Sequence, residues 1–112
     1  MAIDSESRIF GSALRTRVLS AVALAGESFP SELARLVGAR VFPVQRVVDA
    51  LEQEGLLATR KLGVERRVTL NPRFHARAEL LALLTRLGEN DPALWEALAQ
   101  RRARPRRRLK PL

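Results

Sequence analysis

Apolar positions recur at helical spacing through the first half of the chain, switch to strand-like runs near its middle, and return to helical spacing afterwards. Behind Ser12, whose hydroxyl can cap a first turn, Ala13, Leu14, Val18, Leu19 and Val22 share one face, and Gly26 stops the run. Arg15, Thr16 and Arg17 then stay near the start of that helix and face solvent. Ser31 to Val37 predicts a second, short helix, with Ser31 as N-cap, Glu32 in the first turn, and Leu33, Leu36 and Val37 on one face. Gly38 breaks it. A third helix over residues 43–54 accepts Pro43 in its first turn, where backbone N–H groups lack intrahelical partners in any case. It turns Val44, Val47, Val48 and Leu51 inward and Gln45, Arg46, Asp49 and Glu52 outward, and Gly55 supplies its stop. Leu56 to Lys61 and Arg66 to Leu70 read as two strands joined by a turn containing Gly63. After Asn71 and Pro72, Phe74 to Gly88 predicts a helix, and Asp91 caps a final one with Pro92 at its first position. The fold class is mainly α with a small β-hairpin, an α+β chain.

Three pieces of this pattern carry a resemblance: SELARLVG, VQRVVDALEQEGLL and RKLGVERRVTLNP, with FGSALRTRVLSAV upstream of them. In this order and spacing they resemble winged helix-turn-helix transcriptional regulators of the ArsR/MarR-like superfamily, over roughly residues 10–74. The resemblance implies a DNA-binding domain over residues 1–72, with 43–54 as recognition helix and 57–70 as wing. It also implies a short strand at Glu27 to Phe29 pairing with the wing, and C-terminal helices over 73–100 that dimerise the protein. Where such proteins usually place small polar residues at the start of the recognition helix, this chain has Arg40, Val41, Phe42 and Pro43.

A chain of 112 residues builds one domain with a modest core. It has no cysteine and one histidine, so disulfides are excluded, and metal sensing of the ArsR type lacks its ligands. No metal and no cofactor is expected. No apolar run reaches the length of a membrane span, and MAIDSESRIF lacks the layout of a secretory signal. The expectation is a cytoplasmic protein, on the nucleoid when bound to DNA. Net charge is +8, but seven of the twenty cationic residues lie after Gln100 with no acid among them, leaving thirteen against twelve acids before that point. Charge therefore bears on partners only where it clusters in the body. Residues 101–112, interrupted by Pro105 and Pro111, are expected to form a disordered basic tail, and Met1 to Arg8 a partly ordered end.

The major groove of DNA admits one helix, whose outer side chains can hydrogen-bond base edges while flanking cations meet phosphates. Gln45 and Arg46 are the candidate base readers, and Arg40 a phosphate contact. Arg60, Lys61, Arg66 and Arg67 cluster on the wing with only Glu65 opposing them in sequence, as expected of an element on a phosphate backbone or in a minor groove. Arg17 and Arg73 are weaker phosphate candidates. Val41 and Phe42 admit three readings: contact with thymine methyl groups, a protein-docking patch, or inward packing of Phe42 against the preceding helix. Phe74 to Gly88 carries more leucines than one face needs. Phe10, Leu80, Leu81, Leu84, Leu87, Leu94, Trp95 and Leu98 are accordingly expected at a homodimer interface. His75 with Glu79 one turn on is assigned no chemistry, and no nucleophile–base pair, phosphate loop or carboxylate pair suggests catalysis. The expected function is sequence-specific binding of double-stranded DNA by a homodimeric repressor. The alternative is a protein-interaction adaptor docking a partner through Val41 and Phe42. RNA has no aromatic stacking platform to recommend it.

Overall fold

The structure is a computed structural model that describes residues 8–103. Expectations about the chain before Arg8 and about the basic run over 104–112 fall outside those residues.

Helix α1 (Ala13–Ala25) starts where its cap requires, with the Ser12 hydroxyl accepting from the Arg15 N–H at 3.1 Å. Its inward face differs from the expectation: Ala13 is exposed, and Ser20 and Ala21 are buried beside Val18, Leu19 and Val22. Thr16 is buried, and its hydroxyl donates to the Ser12 carbonyl at 3.0 Å, one turn back along the helix. Helix α2 (Pro30–Val37) begins two residues earlier than a Ser31 cap would have it. Phe29 is the N-cap and makes no side-chain cap hydrogen bond, while Pro30 supplies a preset φ at a position that lacks an intrahelical N–H partner. Gly38 closes the helix in the left-handed region at φ +69°, and its N–H reaches the Ala34 and Arg35 carbonyls. Helix α3 (Val41–Gln53) also starts early, with Arg40 as N-cap and Pro43 inside the first turn. Val44, Val48 and Leu51 are buried along it, as their spacing requires.

Strands β1 (Leu57–Leu62) and β2 (Glu65–Leu70) form an antiparallel hairpin, in register from Leu57 opposite Leu70 to Leu62 opposite Glu65. Gly63 and Val64 make the two-residue turn, with Gly63 at φ +63°, a conformation the right-handed twist of the strands demands there. The stretch at Glu27 to Phe29 contributes a single bridge. Ser28 exchanges both backbone hydrogen bonds with Val68, at 3.0 and 2.8 Å, which makes β2 the middle of the group.

Helix α4 (Arg77–Glu89) starts three residues later than Phe74, and α5 (Pro92–Ala103) follows the Asp91 cap, whose carboxylate accepts from the Leu94 N–H at 3.2 Å. Both fold back on the body: α4 packs on α1, and α5 on α2. At the α1–α4 contact Gly88 lies so close that a Cβ built on it would stand 2.5 Å from a Leu24 methyl. This return corrects part of the expected dimer interface. Leu80, Leu84, Leu94 and Leu98 are buried in the chain's own core with α1, α2 and the hairpin, so they are unavailable to a second copy.

The boundary drawn at residue 101 is also too early, because α5 runs on to Ala103. Arg101 places Nε 2.8 Å from Oε2 of Glu32, a buried carboxylate that also accepts from the Ser28 hydroxyl, and Nη2 donates to the Glu27 carbonyl at 3.3 Å. One guanidinium thus pins α5 to α2 and to the residues that bridge to the hairpin. Among the described residues no helix is long and apolar enough to cross a membrane.

Candidate nucleic-acid interface

Because α3 buries Val44, Val48 and Leu51, its helical period leaves Gln45, Arg46, Asp49 and Glu52 exposed on the opposite side. Arg40 is exposed at its start. Phe42 is 65% exposed and Val41 39%, so the inward-packing reading of Phe42 does not hold. The earlier start of α3 explains the outcome: with Val41 already helical, Phe42 falls two positions before Val44 and away from the buried stripe. One turn later, the guanidinium carbon of Arg46 lies 5.7 Å from the centre of the Phe42 ring, a cation–π arrangement worth about 0.5–1 kcal/mol at an exposed position.

The hairpin does not present its four cations as one cluster. Residues directly opposite in an antiparallel pair share a face, and successive residues alternate. Lys61 and Arg66 therefore lie on the face that carries Leu57, Leu70 and Val68, whereas Arg60 and Arg67 lie on the other. Neither pair is opposed by Glu65 alone. Arg66 donates through Nη2 to Asp49 Oδ1 at 2.7 Å and Glu52 Oε1 at 3.2 Å, and the Thr59 hydroxyl donates to Glu52 Oε2 at 2.8 Å. On the other face, Glu27 Oε2 stands 3.5 Å from Arg60 and 3.9 Å from Arg67. Arg67 also reaches Glu65 at 3.0 Å and lies over the Phe29 ring at 5.6 Å. The Nε of Arg67 is buried with no hydrogen-bond partner among the described residues.

Partly exposed ion pairs of this kind contribute about 0–1 kcal/mol, so their effect is geometric more than energetic. The Arg66 pairs hold the hairpin against the outer face of α3 and bring the two elements onto one surface. Arg40, Arg46 and Lys61 have no carboxylate within 4.0 Å among the described residues, and Arg60 has one at 3.5 Å while remaining 65% exposed. The hairpin tip is apolar: Leu62 is 45% and Val64 99% exposed.

Arg17 does not belong to this surface. Its Nε lies 2.7 Å from Asp91 Oδ2 and its Nη1 donates to the Val37 carbonyl at 2.7 Å, so the guanidinium joins α1 to the end of α2 and the start of α5. Its solvent-facing placement and its phosphate role are corrected by these bonds. Arg15 is also engaged, with Glu54 at the surface just past α3, and its hydrogen bond holds that carboxyl below the usual glutamate range, against desolvation and with the help of its charge.

No protein-family model matches the chain, and no curated protein sequence does. Solved structures do. A probable transcriptional regulator from Pseudomonas aeruginosa aligns over 92% of this chain and 85% of its own, at 24% identity and a TM-score of 0.60. The antimony-specific transcriptional repressor AntR aligns over 88% of this chain and 81% of its own, at 20% identity and a TM-score of 0.58. A mutant MarR from E. coli complexed with operator DNA covers the same shares, at 19% identity and a TM-score of 0.57. The fold is a winged helix.

In winged-helix terms, α2 and α3 are the helix-turn-helix pair, the hairpin is the wing, and α4 and α5 are additions. The acids that organise the wing, Asp49, Glu52 and Glu27, were absent from the sequence-derived site. The helical period exposes the first two, but nothing in sequence assigns them to Arg66. Of the expected dimer residues, Phe10 and Leu81 are half-buried against the same core, Leu87 is half-buried, and Trp95 is 47% exposed. Leu83, 42% exposed on α4, joins them as an apolar residue that was not assigned to that surface. No group of three or more His, Cys, Asp or Glu side chains arranged to hold a metal ion occurs among the described residues.

Proposed function

We propose that this chain is a homodimeric transcriptional regulator, a repressor, that binds double-stranded DNA in a sequence-specific manner. One observation carries the reading: Arg66 ties the wing to the outer face of α3, so that Gln45 and Arg46 share a surface with Arg40 and Lys61. Helix α3 enters the major groove, where Arg46 can bridge guanine O6 and N7 and Gln45 can pair with adenine N6 and N7. Arg40, Lys61 and Arg60 meet phosphates, and the wing lies along the backbone with its apolar tip toward the minor groove. Two copies, joined through the apolar residues that α4 and α5 leave exposed, place their α3 helices in successive major grooves about one helical turn apart. Proteins of similar fold support this reading, since one is an antimony-specific transcriptional repressor and another is held on operator DNA. The cytoplasm, and the nucleoid in the DNA-bound state, is the compartment such a regulator requires. No catalytic step and no cofactor is assigned.

Arg66 keeps a place in DNA binding, although a different one from that read in sequence. Its pairs with Asp49 and Glu52 orient the wing, and exchanging them for a phosphate costs little because each is weak. The test selects duplexes from a random pool with the intact protein and compares two variants on the selected site. Arg46→Ala is expected to lose preference at one base pair per half-site, corresponding to about 1–3 kcal/mol of discrimination. Arg66→Ala is expected to weaken binding to all duplexes alike. Equal losses on every sequence for Arg46→Ala would refute its assignment as a base reader.

The exposure of Phe42 and Val41 favours a second reading, an adaptor that docks a protein partner there. The cations on either side in the chain, Arg40 and Arg46, count against it. Phe42→Ala separates the two: loss of site-specific duplex binding supports the regulator, and intact duplex binding with loss of a protein contact supports the adaptor.

A further inference from the structure

Phe42 is the most exposed aromatic ring for which this surface must account. It stands at the start of α3 with Arg46 one helical turn away, and the guanidinium carbon lies 5.7 Å from the ring centre. The ring therefore supports one side of the guanidinium and leaves its N–H edge free, since Arg46 has no carboxylate within 4.0 Å among the described residues. Arg40, with no carboxylate within 4.0 Å among the described residues either, is the N-cap of α3, two residues before Phe42 in the chain. An apolar ring flanked in the chain by two such cations suits a polyanion better than an apolar protein groove.

On a major-groove edge, the apolar group available to a phenyl ring is the C5 methyl of thymine, and the group that takes a guanidinium fork is guanine. Four helical residues advance about 6 Å along the axis, a span that reaches from one base pair to its neighbour or the next. We propose that Phe42 and Arg46 form one preassembled reader of a thymine beside a guanine, with Phe42 on the thymine methyl and also holding the Arg46 guanidinium in the plane it needs. This rests on the DNA-binding reading above and names the sequence element that the surface selects. Phe42 is thereby a specificity-determining contact and a positioning residue for Arg46.

The probe is the tightest duplex selected from a random pool by the intact chain, remade with deoxyuridine in place of each thymine in turn, which removes a methyl group and nothing else. Beside the guanine whose preference Arg46→Ala abolishes, deoxyuridine is expected to weaken binding about fourfold, the loss of roughly 0.8 kcal/mol for one buried methyl-sized group at 1.4 kcal/mol per decade. Phe42→Ala is expected to bind both duplexes equally and to discriminate less at that guanine. Phe42→Leu, apolar but without a ring, is expected to retain the preference for thymine over deoxyuridine while losing guanine discrimination. Both variants alter an exposed residue, and an unchanged helical circular dichroism signal verifies their fold. If every thymine can be replaced without loss, or if Phe42→Ala retains the full thymine preference, this inference falls and the DNA-binding reading stands. A pool that yields no enriched sequence removes both.

Discussion

Arg46 and Arg66 carry the same charge on adjoining elements, and their surroundings set them to different work. Arg46 rests on a phenyl ring with no acid within 4.0 Å among the described residues, whereas Arg66 is shared between Asp49 and Glu52. The outward placement of Arg46 is legible in the spacing of Val44, Val48 and Leu51. The engagement of Arg66 is not, because its partners come from another element and strand alternation alone decides which face of the hairpin it occupies. Arg15 is a third case. Its bond to Glu54 lowers that carboxyl's pKa, so the pair's contribution is complete above the ordinary glutamate value of about 4.3 and is lost as pH falls through the lowered value. The stability difference between the intact protein and Glu54→Gln, read from denaturant midpoints, is therefore expected to be constant near neutral pH and to shrink on the acid side. A difference that stays constant until the protein unfolds in acid would show that the pair does not exist in solution.

Helix α5 shows what one side chain does for an element. It packs on α2 and puts Leu94 and Leu98 into the core, and at its far end Arg101 satisfies a carboxylate, Glu32, that burial would otherwise leave without its charged partner. Removing one member of a buried pair costs about 3–5 kcal/mol, and the partial exposure of Arg101 reduces this to roughly 1–3 kcal/mol. A chain ending after residue 103 is expected to match the full chain in chemical denaturation, and one ending after residue 100 to lose stability by that amount. Arg101→Ala is expected to reproduce the second result. Equal stability of the two truncations would mean that the Arg101 bonds contribute nothing. In sequence Arg101 is one more arginine of a basic run, and only the return of α5 over α2 separates it from its neighbours.

At the scale of the molecule, folding back divides the leucine-rich helices into two sets. Leu80, Leu84, Leu94 and Leu98 complete the core, and Leu83 and Trp95 are left exposed beside the half-buried Leu81 and Leu87. The proposed homodimer has to be built on the second set. Leu83→Glu combined with Trp95→Glu is expected to halve the solution mass while leaving the helical signal and denaturation midpoint of the chain nearly unchanged, because neither side chain is in the core. An intact chain that already sediments as a monomer, or a double variant that remains dimeric, would overturn that assignment.

Element types, their order, the buried stripe of α3 and the turn at Gly63 were determined by the sequence alone, because helical and strand periodicity and glycine's access to positive φ are local properties. Three helix starts came out two or three residues off, since Pro30, Val41 and Arg77 begin helices without side-chain cap hydrogen bonds. Which arginines remain free for a ligand, and which leucines remain free for a second copy, only the tertiary structure decided. Charge neutralisation and burial depend on residues distant in the chain: Glu27 against Arg60, Asp91 against Arg17, Glu32 against Arg101. Those pairings exist only once the helices have packed.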